Sequence, residues 1–331
     1  MTIILPKKER KIKQMKALPE NFEDLSNEWL NFKAYKVKES TIQKYKVIIS
    51  THILSEFGSI KITEMSTPLI NKKMMELYQE CKIKLSYSSI RCIFYIIKAI
   101  ITYGVNNEYF TQVYFTFEFS KGNTNTKIQI LSKPQEKTVF NQASVKKHPN
   151  NLGILLSLGT GMRIGEVCAL SIEDINMKSR VISVKRTVQR LSVTSGERAT
   201  ELVVTSPKSP SAFRDIPIPD FLYQALSEYN IKDYSTHSYV LTNSNKPYDP
   251  RTLQYAFERM TVKELGHKLN FHCLRHTYAT RCIETGIDIK TVSELLGHSD
   301  TSFTMNRYVH PSIETKKKAV KKLNSYWSDY S

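Results

Sequence analysis

The sequence predicts a mainly α protein with a small antiparallel β-sheet, an α+β chain in two domains. Three observations predict it. Apolar residues recur at helical spacing through residues 22–118 and again beyond residue 221. Alternating β-branched residues are confined to positions 181–218. The length of 331 residues suits two cores at roughly 150 residues per domain.

Residues 1–20 read as a basic arm, with Lys7, Lys8, Arg10, Lys11, Lys13 and Lys16 against Glu9 in the first sixteen positions. Residues 21–118 read as a helical domain. Phe22, Leu25, Trp29 and Phe32 make one apolar stripe, and Ile42, Tyr45, Ile49 and Ile53 make a second, with Ser40 or Thr41 as its N-cap. Ile70, Met74, Leu77 and Tyr78 give a third stripe, and Ile90, Ile93, Ile97 and Ile101 a fourth. Gly58 and Pro68 punctuate between them. Residues 119–130, with Gly122, Asn123, Thr124, Asn125 and Thr126, read as a linker. Residues 131–331 form the second domain. It is helical to about residue 171 and then forms a three-stranded antiparallel meander over 181–190, 202–205 and 213–218. Turns are expected at Ser195-Gly196 and over 207–211, and helices resume to the C-terminus.

The formal net charge is +17 and the sequence pI about 9.5, so a polyanion is the expected large partner. Residues 1–120 hold 18 Lys+Arg against 12 Asp+Glu, leaving 30 against 19 for the rest. Both halves are basic, and both are available to grip one ligand. The most apolar stretch, residues 90–105, is interrupted by Arg91 and Lys98, so no membrane span is expected. The N-terminus lacks the extended apolar region of an export signal. Five scattered cysteines without a CxxC pair then read as free thiols in a reducing cytoplasm.

Gly159, Gly161 and Gly165 mimic a dinucleotide fingerprint, but their spacing is GxGxxxG and no βαβ unit surrounds them. What remains there is Arg163, on a helix that Gly161 opens and whose buried stripe is Ile164, Val167 and Cys168. An arginine at a core boundary needs a partner, and Glu166 lies one turn along. His272 and Arg275, three apart, share a helix face. His272 and His276 have the i, i+4 spacing of metal ligands, but Cys273 stands where HExxH has Glu, so no metal site is expected. Gly297 ends a helix and puts His298 on the turn. Tyr308 is one of 18 tyrosines and equally suits core packing against Met305.

Two Arg, two His and a Tyr, with no carboxylate pair, suit a phosphodiester. Guanidinium groups bind its non-bridging oxygens bidentately and keep their charge, doing the work Mg²⁺ does elsewhere. A phenol beside positive charge and a base becomes a nucleophile. The leaving alkoxide needs a proton. Lys208, on a turn between strands, is placed to give it, although spacing alone does not single it out from other surface lysines.

Five blocks carry a resemblance: TGMRIGEVCAL (160–170), PKSPSAFRDIPIP (207–219), HCLRHTYAT (272–280), LLGHSD (295–300) and TMNRYVH (304–310). In this order they resemble the tyrosine recombinases, or phage-integrase family. WLNFKAYKVKESTIQKYK (29–46) is similar to the family's helical SAM-like core-binding domain. The resemblance implies a core-binding domain and a mixed catalytic domain forming a clamp around DNA. It implies Arg163 and Arg275 as the phosphate clamp, Lys208 as the acid for the leaving 5′-oxygen, and His272 as the proton-handling histidine. It further implies His298 as a hydrogen-bond donor to the phosphate, Tyr308 as the nucleophile of a 3′-phosphotyrosyl link, and Glu166 as the residue that positions the first arginine. His276 and His310 match family variants that read as structural.

The resemblance also implies no cofactor, neither metal nor ATP. The partners it implies are double-stranded DNA with specific recombination sites, a homotetramer and an accessory directionality factor. Leu323, Trp327 and Tyr330 fall on one helical face that suits docking on a neighbouring subunit. About 20 residues precede Phe22, too few for an arm-site-binding domain, so arm-type binding is not expected. The leading expectation is a mobile-element integrase. An Xer-type dimer resolvase, a type IB topoisomerase and a non-catalytic DNA-binding protein are the alternatives. Base-reading residues are not legible; the helices around Lys44 and Arg91 are the first places to look.

Overall fold

The computed structural model describes residues 18–116, 128–192, 200–207 and 209–302, together with 317, 320 and 321. The chain divides into two compact units at Asn125/Thr126.

In the N-terminal unit, α1 (Phe22–Ala34) starts where the Asn21 side chain accepts from the Asp24 amide at 3.0 Å. It buries Phe22, Leu25, Trp29 and Leu30. The second helix, α2 (Glu39–Ile48), begins one residue before the expected cap. Lys38 takes the cap position without a side-chain hydrogen bond, so neither Ser40 nor Thr41 caps it. It runs through a π turn (Ile49–Ile53) into the short α3 (Leu54–Phe57). Pro68 lies inside the first turn of α4 (Thr67–Lys84), where its missing N–H costs nothing, and not between helices.

The central helix, α5 (Tyr87–Asn106), passes the length and composition test for a membrane span. Its packing shows what the apolar residues are for. Ile90, Ile93, Phe94, Ile96, Ile97, Ile100 and Ile101 are buried in the core of this unit, while Arg91 and Lys98 lie over the rings of Tyr87 and Phe115. At Gly104 a Cβ would meet the Phe110 ring at 2.5 Å, so only glycine lets the chain fold back there. Tyr103 and Tyr109 both donate to Glu28, at 3.1 and 3.0 Å. Burial, reinforced by the Glu28 charge, pushes the Tyr103 phenol up to about 12.

The C-terminal unit opens with a backbone staple. The Leu131 amide donates to Thr277 Oγ1 at 2.9 Å, and Arg281 Nη2 donates to the Leu131 carbonyl at 2.8 Å. A capping box of Ser132 and Gln135 then starts α6 (Lys133–Val145). The next helix, α7 (Pro149–Thr160), is buried on every side from Leu152 onward, as the core axis of a domain is. It ends at Gly161, with φ +65°, where a Cβ would strike Tyr278 at 2.5 Å. Gly161 therefore closes α7 instead of opening the next helix, and Arg163 is the N-cap of α8 (Ile164–Cys168).

The expected single meander is two sheets. β1 (Ile175–Asn176), β2 (Val181–Val184) and β5 (Arg214–Pro217) form one, in the order β1-β2-β5, and β3 (Thr187–Ser192) pairs with β4 (Thr200–Thr205) in the other. All pairs are antiparallel. The predicted strand 181–190 breaks at Lys185 and Arg186, which reach the buried Asp174 carboxylate at 3.3 and 3.2 Å. Satisfying that carboxylate outweighs continuing the ladder. The expected turn at Ser195-Gly196 lies outside the described residues.

Among the described residues the unit continues with α9 (Asp220–Glu228), α10 (Pro250–Leu265), α11 (His272–Glu284) and α12 (Ile289–Leu296). All five cysteines are free thiols, and all except Cys92 are buried.

Candidate active site

The site forms at the C-terminal end of α12. A helix end leaves carbonyls without intrahelical partners and carries the negative end of the backbone dipole, so it attracts cations. Here three consecutive carbonyls accept from three different arginines. Arg214 Nε donates to Leu295 O at 2.6 Å, Arg275 Nη2 to Leu296 O at 2.7 Å, and Arg163 Nη2 to Gly297 O at 3.4 Å. Three elements deliver them: β5, α11 and the N-cap of α8.

Arg275 is 1% exposed, and its Nη1 donates to Gly161 O at 2.8 Å. Its Nη2 also lies 2.9 Å from His298 Nε2. A guanidinium has no lone pair to offer, so Nε2 is the acceptor and the ring proton of neutral His298 sits on Nδ1. Gly297, at φ +67°, makes the turn that brings His298 here.

Glu166 is the anion at the centre. Its Oε1 takes Arg163 Nη1 at 2.8 Å and its Oε2 takes the Arg163 backbone amide at 2.9 Å, a reciprocal cap of α8. Arg214 Nη2 pairs with Oε2 at 2.8 Å, and Nη1 lies 3.3 Å from Oε1. Burial pushes the Glu166 carboxyl upward. The Arg214 charge and hydrogen bonds, followed by those of Arg163, more than offset this and hold it below the usual carboxylate range. Arg163 differs from its neighbours in keeping 38% of its side chain exposed, against 5% for Arg214. Three guanidinium groups and one carboxylate leave a net charge of +2, an anion site with one arginine open to solvent.

A family model described as the phage integrase family matches residues 129–315, more than half of the chain. The chain belongs to the phage integrase family. The model for the phage integrase N-terminal SAM-like domain matches residues 21–78. The chain is 29% identical to a tyrosine recombinase XerC-like protein of Caldanaerobacter subterraneus subsp. tengcongensis, over 91% of this chain and 82% of that one. It is 30% identical to transposase A from transposon Tn554 of Staphylococcus aureus, over 59% of this chain and 52% of that protein. Among solved structures, the Tn1549 transposon integrase in complex with a circular-intermediate DNA aligns with a TM-score of 0.74 at 21% identity, covering 92% of this chain and 99% of that one. A lambda integrase tetramer bound to a Holliday junction aligns at 0.63 and 16% identity, over 87% and 77%. These likenesses fix the tyrosine recombinase fold.

Of the residues singled out by the family motifs, the structure brings Arg163, Glu166, Arg275 and His298 into one cluster. His272 begins α11 one turn before Arg275, exposed, its ring edge-on to buried His276 at 4.5 Å. Lys208, Tyr308 and His310 lie outside the described residues, as do the basic arm through residue 17 and the positions of Leu323, Trp327 and Tyr330. Sequence reasoning missed Arg214. Its signal was the alternation of the last strand, where Arg214 is in phase with buried Ile216 and Ile218 and so faces inward, needing an anion.

Proposed function

We propose that this chain is a site-specific DNA recombinase of a mobile element, and that Arg163 and Arg275 grip the scissile phosphate. The observation that carries this reading is the convergence of both arginines and His298 on one helix end beside an enforced Glu166 carboxylate. A phosphodiester carries one negative charge, and charge grows on its non-bridging oxygens as the transition state forms. Fixed donors aimed at those oxygens stabilise that state without reorganising.

Tyr308 Oη attacks the phosphorus and the P–O5′ bond breaks. His272 takes the phenolic proton, and Lys208 protonates the leaving 5′-oxygen. His298 donates a hydrogen bond to the phosphate. The product is a 3′-phosphotyrosyl link that keeps the energy of the broken bond, and the 5′-hydroxyl of a partner strand reverses the step. Family membership favours recombination over the type IB topoisomerase reading. The similarity to a transposon transposase supports the mobile-element reading, with an Xer-type resolvase as the alternative, and the Arg163–Glu166–Arg275 cluster speaks against an inert DNA-binding protein. The partners are then double-stranded recombination sites, three further copies of this chain and an accessory directionality factor, in the cytoplasm at the nucleoid.

The test incubates the protein, with EDTA present, with end-labelled DNA from the region flanking its gene. The expected result on a denaturing gel is a protein–DNA adduct that disappears with Tyr308→Phe while DNA binding persists. An adduct that survives Tyr308→Phe, or that requires a divalent metal, overturns the mechanism.

A further inference from the structure

Arg214 lies outside the residues given roles above, yet it joins two elements of the cluster, α8 and α12. Its guanidinium spans Glu166 on α8, Leu295 O on α12 and, through Nη1 at 3.1 Å, Ala212 O at the entry to β5. Its stem is equally fixed. A Cβ on Gly297 would come within 3.0 Å of Arg214 Cδ and 3.1 Å of Nη1, so the turn before His298 is moulded onto this side chain. With 5% of the side chain exposed, it has no open face for DNA.

We propose that Arg214 is a positioning residue: it ties Glu166 to the end of α12, so that Arg163 and His298 are held at one fixed spacing. The inference rests on the recombinase reading of the same site. The division of labour follows from the two arginines that share Glu166. Arg214 is sunk and saturated with protein partners, whereas Arg163 has solvent-facing surface left for a phosphate. If Arg163 alone balanced Glu166, the carboxylate would compete with the phosphate for its guanidinium. A second, buried arginine on the same carboxylate weakens that competition. Arg214 is also the larger of the two favourable influences on the Glu166 charge. Among the described residues, the charged and titratable groups that act on the pair are Arg163 on α8 and Tyr278 on α11, and Arg275 and His298 meet at the same end of α12.

The test uses the full chain and the adduct assay, measured as a single-turnover rate at saturating DNA across pH, with DNA affinity and melting recorded for each variant. Arg214→Met is expected to slow adduct formation by about 10²-fold, the cost of misplacing a reacting group by about 1 Å, with affinity for DNA retained. Without Arg214 the Glu166 carboxyl titrates higher, so the acid limb of the rate profile moves to higher pH. Adding Glu166→Gln to Arg214→Met removes that limb. Arg214→Lys restores the limb but not the rate, since one ammonium cannot hold Glu166 and the Leu295 carbonyl at once.

A merely structural arginine would lower melting without moving the limb. Wild-type rates and an unmoved limb in both variants, alongside a normal Tyr308-dependent adduct in the parent, overturn the positioning role alone. No Tyr308-dependent adduct in the parent chain takes down the recombinase reading and this inference with it.

Discussion

The two units bury different things. Among the described residues of the N-terminal unit, the buried polar side chain is Ser26, and the rest of its core is apolar, dominated by the isoleucines of α5. The C-terminal unit buries Glu166, Asp174, Arg275 and His276 alongside an apolar core of its own. Ionic groups cost several kcal/mol each to desolvate, and a stable fold has no need of them. Two of the four, Glu166 and Arg275, belong to the candidate site, whereas Asp174 pins the break between β2 and β3 through Lys185 and Arg186.

The sharpest break of this contrast is Glu166→Ala. It leaves Arg214 buried beside Arg163 without their shared anion, which should destabilise the C-terminal unit by about 3–5 kcal/mol. Hydrogen exchange should show α7 and α11 opening sooner and α5 unchanged; equal loosening in both units would contradict the separation. In the other unit, Ile97→Ala removes a side chain that is 0% exposed and should cost about 2–5 kcal/mol through the cavity it leaves. The rate of adduct formation by bound protein should stay as it was.

Arg163→Ala should do the reverse. Its loss is expected to lower cleavage by about 10²-fold, roughly 2.7 kcal/mol, with little change in melting because Arg214 still balances Glu166. A fall in stability matching the fall in rate would mean that Arg163 is structural.

Acid gives the gentlest test. Glu166 and Asp249 sit below their ordinary 4.5 and 3.8. Burial raises both, but Arg214 and Arg163 outweigh it for Glu166, as Arg190 and the Arg251 amide do for Asp249. Their unfolded forms bind protons first, so the stability they contribute is complete above those ordinary values and drains away as pH falls through the depressed ones. Acid should therefore loosen the C-terminal unit as pH falls through those depressed values, as followed by hydrogen exchange at α7 and α11.

Much of this was legible in sequence because it is local. The stripes Phe22-Leu25-Trp29, Ile70-Met74-Leu77 and Ile90-Ile93-Ile97 are repeats within one helix, and all these residues are buried. The Arg163–Glu166 pair, three apart, was readable for the same reason. What escaped was decided at long range. Lys185 and Arg186 break a strand whose β-branched pattern is continuous, because Asp174, out of phase and ten or more residues back, claims both. The convergence of Arg163, Arg214 and Arg275 on three successive carbonyls joins positions 134, 81 and 21 residues apart. Periodicity carries no record of such distances. The five motif blocks named Arg163, Arg275 and His298 without showing that a single helix end gathers them.

The Leu131 staple gives the C-terminal unit a mechanical input. Backbone at the start of this unit is bolted on both its N–H and its C=O to Thr277 and Arg281, on the helix that carries Arg275. Arg281 is itself braced by Glu136 at 2.6 Å, so the joint is stiff. A displacement of the backbone at residue 131 is therefore passed to α11, the helix that carries Arg275.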